Sequence, residues 1–166
     1  MNPKKILHPT DYSETSRPAL EEALRLAEEN NAGIVLLHVV DTLGPTTFGY
    51  AEGYVPFDPE ELRAKLWDEL RHALPSDTHA HVEYVLSEED VVTAILRTQV
   101  DFECDLIVMG THGKTGWRRW LTSSTAEEVV RRATCLVLIV KPPRPAETLP
   151  KLRGSDLHPG RLVQVG

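Results

Sequence analysis

The residues with the clearest chemical potential surround a glycine-rich turn. Gly110-Thr-His-Gly113 follows an apolar run, and Thr122-Ser-Ser-Thr125 comes shortly before a helical pattern that begins near Ala126. Glycines allow a tight turn in which several backbone N–H groups point into one concavity. The start of a helix adds unpaired N–H groups and a partial positive charge. Because this combination is typical of anion sites, we expect a phosphate to bind here.

An acidic residue, Asp11, offers complementary chemistry near the N-terminus. It follows Pro9 and Thr10 at the end of the first apolar segment. Its carboxylate could hold ribose hydroxyls or contribute to binding of Mg²⁺. The alternative is an acidic cap on the loop before the first helix. His112 lies inside the glycine-rich turn and could donate to a phosphate, but no catalytic partner for it is identified by the sequence.

Composition limits the classes of function. The chain has 166 residues, 41% of them hydrophobic, a net charge of −7 and two cysteines. We expect one domain over residues 1–141 and a proline-rich extension over residues 142–166. The negative charge argues against non-specific nucleic-acid binding, and no apolar run approaches the ~20 residues of a membrane span. Two cysteines make no disulfide framework, which favours a reducing cytoplasm.

Strand-like and helix-like segments alternate along the chain. The continuous apolar run Ile34–Val40 is typical of a strand buried on both faces. Other strands are predicted near residues 6–10, 79–86, 105–109 and 135–140, and helices are predicted to begin near Ser16, Asp58, Asp90 and Ser124. This alternation predicts a doubly wound parallel α/β sheet, in which ligands bind beyond the carboxyl ends of the strands where the strand order reverses. Strands one and four would then flank the site.

Four motifs together resemble the universal stress protein family over residues 3–141. They are His8-Pro-Thr-Asp11-Tyr-Ser13, Leu37-His-Val-Val40-Asp41, Asp105-Leu-Ile-Val-Met-Gly-Thr-His-Gly113, and Ser123-Ser-Thr-Ala-Glu127 leading to Leu136–Val140. The resemblance implies a five-stranded parallel sheet of order 3-2-1-4-5, the adenine nucleotide alpha hydrolase-like fold. It also implies a homodimer formed through the last strand, Leu136–Val140.

ATP-binding members of the family carry the motif Gly-x2-Gly-x9-Gly-(Ser/Thr). Gly110, Gly113 and Ser124 match it, whereas Ser123 replaces the third glycine. A second departure is Leu86-Ser87-Glu88, where many members have Gly-x-Pro. The nucleotide-binding residues that the resemblance implies are Pro9, Thr10, Asp11, Val39, Met109, Gly110, His112, Gly113, Ser123, Ser124 and Thr125.

The expected function is that of a cytoplasmic stress-response protein. Its regulatory ligand would be ATP or a related adenine nucleotide, with Mg²⁺ accompanying the nucleotide near Asp11. The alternative is a dimeric scaffold that has lost nucleotide binding through Ser123 and acts through protein contacts. Because no general base is apparent, slow ATP hydrolysis is the most catalysis that we expect.

Overall fold

The computed structural model shows alternating strands and helices, as the sequence predicts. It describes residues 2–14, 16–40, 59–110 and 124–141. The strands are β1 (Lys5–Thr10), β2 (Gly33–Val39), β3 (Val82–Ser87), β4 (Leu106–Gly110) and β5 (Leu136–Val140). The helices are α1 (Arg17–Asn30), α2 (Pro59–Arg71), α3 (Val91–Asp101) and α4 (Ser124–Arg132).

The strands form one five-stranded parallel sheet in the order β3-β2-β1-β4-β5. This confirms the expected order and places β1 at its centre. The chain adds β2 and β3 on one side of β1 and then crosses to add β4 and β5 on the other. The strand order therefore reverses between β1 and β4, which is where sheets of this kind bind ligands.

Alternate residues of β1 enter two different cores. Ile6 packs on one face against the alanines of α1, whose small side chains let the helix approach the sheet closely. Leu7 packs on the other face with Ile95 of α3 and Val129 of α4. Both β1 residues are fully buried, and burying such a side chain contributes about 2 kcal/mol to stability. The two cores hold β1 firmly below the loop that carries Asp11.

Helix α1 begins directly after Ser16, as predicted. Within the described residues, Ser16 makes no side-chain capping bond, because its backbone is already helical (φ −88°, ψ −18°). Its hydroxyl donates instead to the Ser13 carbonyl at 2.9 Å. The helix ends at Asn31, which adopts the left-handed conformation (φ 52°) and whose N–H bonds back to the helix.

Helix α3 begins at a side-chain cap. Asp90 precedes it, and the Asp90 carboxylate accepts the N–H of Thr93 at 3.1 Å. The predicted start of this helix is therefore confirmed. The helix start predicted near Asp58, and residues 41–57, whose glycines and prolines predict a long loop, lie outside the described residues.

Strand β3 is shorter than the sequence predicts. It begins at Val82 rather than near His79. The reason is its partner: β2 begins at Gly33, directly after the left-handed turn at Asn31, and Ile34 already pairs with Val82. Residues 79–81 therefore have little of β2 beside them.

Candidate functional site

The structure places the predicted site residues that it describes at one edge of the sheet. Pro9 and Thr10 end β1, and Asp11 follows them. Val39 ends β2, and Met109 and Gly110 end β4. Ser124 and Thr125 begin α4. His112, Gly113 and Ser123 lie outside the described residues.

The ladder between β1 and β4 stops early. These strands pair at Ile6–Leu106 and Leu7–Ile107, whereas β1 pairs with β2 along its whole length. The Leu136 N–H donates to the carbonyl of Asp105. Because successive residues of a strand direct their backbone groups to opposite sides, the odd-numbered residues of β4 form hydrogen bonds with β5 and the even-numbered ones with β1. The carbonyl of Val108 would therefore accept the N–H of residue 9. Residue 9 is proline and has no N–H, which explains why the ladder ends there.

The side chain of His8 supplies the missing donor. Its Nδ1 lies 2.8 Å from the carbonyl oxygen of Val108. Because a carbonyl only accepts, Nδ1 must carry the proton and Nε2 is the bare nitrogen. The residue is fully buried, and Nε2 has no hydrogen-bond partner among the described residues. His8 thus joins β1 to β4 directly below the point where the strand order reverses.

Burial keeps the His8 ring neutral. Desolvation lowers its pKa to about 4, against smaller opposing effects from the bond to the Val108 carbonyl and the negative charge of Asp11. The ring therefore carries no charge at neutral pH. Asp11 is close enough to act on the ring electrostatically, so the charge of Asp11 and the protonation of His8 are coupled.

The loop after β1 is shaped by local hydrogen bonds. Asp11 Oδ1 accepts the N–H of Ser13 at 3.1 Å and its hydroxyl at 2.7 Å, and Thr10 Oγ1 accepts the N–H of Tyr12 at 3.2 Å. Tyr12 adopts a left-handed backbone (φ 58°), which a non-glycine residue rarely does. These bonds fix the half-buried Asp11 carboxylate at the carboxyl edge.

His38 of β2 supports the same loop. Its Nδ1 donates to the carbonyl of Thr10 at 2.9 Å. Its ring stacks on that of Tyr12, with 4.5 Å between ring centroids and 28° between planes. Such stacking stabilises the strained Tyr12 conformation. Both contacts give His38 a structural role in holding this loop.

The ends of β2 and β3 border the site on its other side. Val39 is half-buried and pairs with Ser87, and the N–H of Val40 donates to the Ser87 carbonyl at 2.7 Å. Glu88 and Glu89, which follow, form ion pairs with Arg63 of α2 and Arg97 of α3. These ion pairs hold the segment after β3 to helices α2 and α3. In this chain the segment lacks the Gly-x-Pro element noted above.

The end of β4 brings the chain to the glycine-rich segment. Met109 is buried, and Gly110 is only partly so. The next described residue is Ser124, the first of α4. The N-terminus of α4 and the end of β4 therefore bound the segment that carries the motif. Its role in phosphate binding stays a prediction.

Two properties concern the described residues as a whole. In residues 2–14, 16–40, 59–110 and 124–141, no three metal-ligating side chains cluster. Within the same ranges, no helix has the length and apolarity needed to cross a bilayer. Binding of Mg²⁺ near Asp11 stays a prediction that involves the nucleotide.

Sequence reasoning missed two contributors to this edge. His8 was noted only as part of a family motif, and Tyr12 likewise. The signal for His8 was its place before a proline at the end of a central strand. There it can replace the donor that the proline lacks. Only the register between β1 and β4 makes that role visible.

Comparison with known proteins agrees with this architecture. The model of the universal stress protein family matches residues 2–141. Universal stress protein MJ0531 of Methanocaldococcus jannaschii is 34% identical over 143 residues, which cover 85% of this chain and 84% of that protein.

Two solved structures share the fold. Universal stress protein UspA from Lactobacillus plantarum is 27% identical with a TM-score of 0.63, covering 83% of this chain and 97% of its own. A universal stress protein from Archaeoglobus fulgidus, solved in complex with dAMP, is 19% identical with a TM-score of 0.53. The match covers 85% of this chain and 100% of that one. The sheet order, the motifs and these matches agree: the chain belongs to the universal stress protein family.

Proposed function

We propose that this protein binds ATP or a related adenine nucleotide at the carboxyl edge of β1 and β4, as a regulatory ligand. The observation that carries the proposal is the reversal of strand order between β1 and β4. There Asp11 on one side and Gly110 with the α4 N-terminus on the other border one position. Parallel α/β sheets bind ligands at this position.

The distribution of groups supports a nucleotide rather than another ligand. Asp11 is a fixed acceptor suited to ribose hydroxyls, and the backbone of Val39 would offer polar groups to the edge of an adenine. The N-terminus of α4 favours an anion such as phosphate. A protein of the same fold from Archaeoglobus fulgidus was solved in complex with dAMP, and this supports an adenine nucleotide as the ligand.

Nucleotide binding would act as a switch rather than as the start of a reaction. The residues proposed to surround the phosphates are Gly110, His112, Gly113, Ser123, Ser124 and Thr125. We propose that their contacts with the nucleotide order this segment and the residues 41–57 that follow β2. A ligand can shift such an equilibrium only through its differential affinity for the ordered state. We place this switch in the cytoplasm, where ATP is abundant.

Calorimetric titration of the full chain tests the proposal. ATP, ADP, AMP and cAMP are compared with and without Mg²⁺. We expect saturable binding, weakened about tenfold or more by Asp11→Asn, because a hydrogen bond to a charged group is worth about 1.5–3 kcal/mol. Asp101→Asn makes the same charge change at the far end of α3 and should leave the Kd unchanged. Absence of saturable binding at millimolar nucleotide would reject the proposal.

The alternative, a dimeric scaffold without a nucleotide, depends on Ser123. If the third motif position requires glycine, the natural chain binds no nucleotide and Ser123→Gly creates affinity. If that position needs only an N–H group, the natural chain and the variant bind alike. The same titration therefore separates the two functions.

We also propose that the protein is a homodimer joined through β5. In the described part of the chain, no strand pairs with the outer side of β5, and Leu136 is 56% exposed. An apolar edge strand of this kind is prone to pair with a second copy. Because Leu136 bonds toward β4, Val137 and Ile139 direct their N–H groups outward.

Light scattering tests this assembly. Val137→Pro removes one outward N–H and should give a monomer with an unchanged circular dichroism spectrum, whereas Leu138→Pro removes an inward N–H and should disrupt the sheet. A natural chain that is monomeric, or a Val137→Pro variant that still dimerises, would show that β5 is not the interface.

A further inference from the structure

The edge of the sheet opposite the candidate nucleotide site carries the two cysteines. Cys104 and Cys135 both line an open cleft of about 640 Å³ at the amino ends of β4 and β5. Both are free thiols. Cys104 is buried, with 3% of its surface exposed, whereas Cys135 is partly exposed. Cys135 is therefore the more accessible of the two residues.

The strand register places the two residues near each other. Leu106 pairs with Leu136, so Cys135 stands beside Asp105 and one residue along from Cys104. Regular strands about 4.8 Å apart with a rise of about 3.3 Å per residue would separate such Cα atoms by about 6 Å, and Cys135 is close enough to Cys104 to act on it electrostatically. Disulfides usually join Cα atoms separated by about 4.4–6.8 Å.

The side chains also lie on the same side of the sheet. Regular alternation would send two such residues to opposite faces. Cys104, however, stands before β4, directly after Glu103, whose left-handed backbone (φ 53°) turns the chain. As a result, Cys104 belongs to the core between the sheet and α3, and Cys135 packs against that same core.

A side-chain bond ties together the two segments that carry the cysteines. Gln99 of α3 accepts the hydroxyl of Thr134 at 3.0 Å and its N–H at 3.3 Å, and it also accepts the N–H of Cys104 through its carbonyl at 2.9 Å. Gln99 itself is buried. Cys104 and Thr134, the neighbour of Cys135, are thus anchored to one residue, which keeps the cysteines in register.

We propose that Cys104 and Cys135 form a redox-responsive pair that closes reversibly to an intramolecular disulfide. With hydrogen peroxide as oxidant, the Cys135 sulfur attacks the peroxide and becomes a sulfenic acid, releasing one water. The Cys104 sulfur then attacks this sulfenic sulfur, forming the S–S bond and releasing a second water. Two thiols such as glutathione reduce the bond and are themselves oxidised to a disulfide.

Burial explains why the thiol form is the resting state. It raises the pKa of Cys104 to about 12 and also raises the pKa of Cys135. Since the thiolate is the nucleophile, both thiols react slowly with bulk oxidant at neutral pH. The pair would respond to sustained oxidation rather than to brief exposure, and a reducing cytoplasm would reopen it.

Closure would join the two ends of one structural unit. The ring from residue 104 to residue 135 contains β4, the glycine-rich segment and α4. A crosslink that closes a ring of this length restricts the unfolded chain, and we expect the Tm to rise by about 5 °C. The bond forms independently of nucleotide, so its test does not depend on the proposed function.

Oxidation of the native full chain tests the pair. The protein is exposed to hydrogen peroxide, its remaining thiols are alkylated in denaturant, and non-reduced tryptic peptides are analysed by mass spectrometry. We expect loss of both free thiols, one crosslinked peptide pair containing Cys104 and Cys135, a higher Tm, and full reversal by dithiothreitol.

Single variants complete the experiment. In Cys104→Ala, Cys135 loses its partner and should accumulate sulfinic acid or, with oxidised glutathione, a mixed disulfide. In Cys135→Ser, the buried Cys104 should stay reduced. The proposal is overturned if the natural chain behaves like Cys104→Ala, or if its Cys135 sulfurs instead link two chains.

Discussion

His8 Nδ1 lies 2.8 Å from the carbonyl oxygen of Val108, and this side-chain bond replaces one that the backbone cannot make. The bond joins the central strand to its neighbour where the ladder between them has ended. The bond therefore fixes β1 against β4 next to the proposed nucleotide site. In this account His8 stabilises the sheet, whereas the loop after β1 contacts the nucleotide.

The bond predicts a large difference between two substitutions of His8. Leucine has no donor and leaves the buried Val108 carbonyl unsatisfied, so His8→Leu should lower the free energy of unfolding by about 1–3 kcal/mol. Asparagine places an amide N–H near the position of Nδ1, so His8→Asn should lower it less. Urea denaturation measures both. Equal losses in the two variants would mean that packing rather than the hydrogen bond matters.

A substitution of Pro9 tests the same hydrogen bond to the Val108 carbonyl, because it can supply a backbone donor. Pro9→Ala restores an N–H that can donate to the Val108 carbonyl. In that background His8→Leu should cost less than in the natural chain, with a coupling of about 0.5 kcal/mol or more. A double-mutant cycle measured by denaturation gives this value. Additive effects of the two substitutions would contradict the account of how the ladder ends.

The neutral His8 ring predicts a stability that falls in acid. Its pKa is about 4 in the folded protein and near its ordinary value of 6.5 in the unfolded chain, so the unfolded chain binds more protons between those values. The free energy of unfolding should therefore fall as the pH drops from about 6.5 to about 4, by up to about 3 kcal/mol. Denaturation curves across this range measure the fall.

The non-titrating His8→Asn variant is the control for that pH dependence. It removes the histidine while keeping a donor for Val108, so its stability should change less with pH over the same window. If the natural chain and this variant lose stability in parallel, other groups cause the acid sensitivity.

Local patterns were sufficient to predict the order of elements. The run Ile34–Val40 identified a strand buried on both faces, and Asp90 identified the start of α3. Ser16 likewise identified the start of α1, although its hydroxyl donates to the Ser13 carbonyl and accepts no capping bond from the helix.

The parts of the site that could not be predicted depend on distant pairing. The bond between His8 and Val108 joins residues 100 positions apart, and its cause is the register between β1 and β4. The stacking of Tyr12 on His38 likewise depends on the pairing of β1 with β2. Periodicity identifies strands but does not specify which atoms of two strands meet.

The cap of α3 gives a prediction that is independent of the site. Asp90→Ala removes the acceptor for the Thr93 N–H and should lower the free energy of unfolding by about 1 kcal/mol. Asp101→Ala, at the other end of the same helix, removes an equal charge that makes no such cap. Thermal denaturation should show a loss for Asp90→Ala and little change or a gain for Asp101→Ala.

The most direct test of the proposed function is to map ATP on the full chain by backbone amide chemical shifts during a titration. We predict saturable changes concentrated at the carboxyl edge, in Thr10, Asp11, Val39, Gly110 and Thr125, with the amino edge around Cys104 and Cys135 unmoved. Shifts that fail to saturate, or that cluster at the amino edge, would contradict a nucleotide site between β1 and β4.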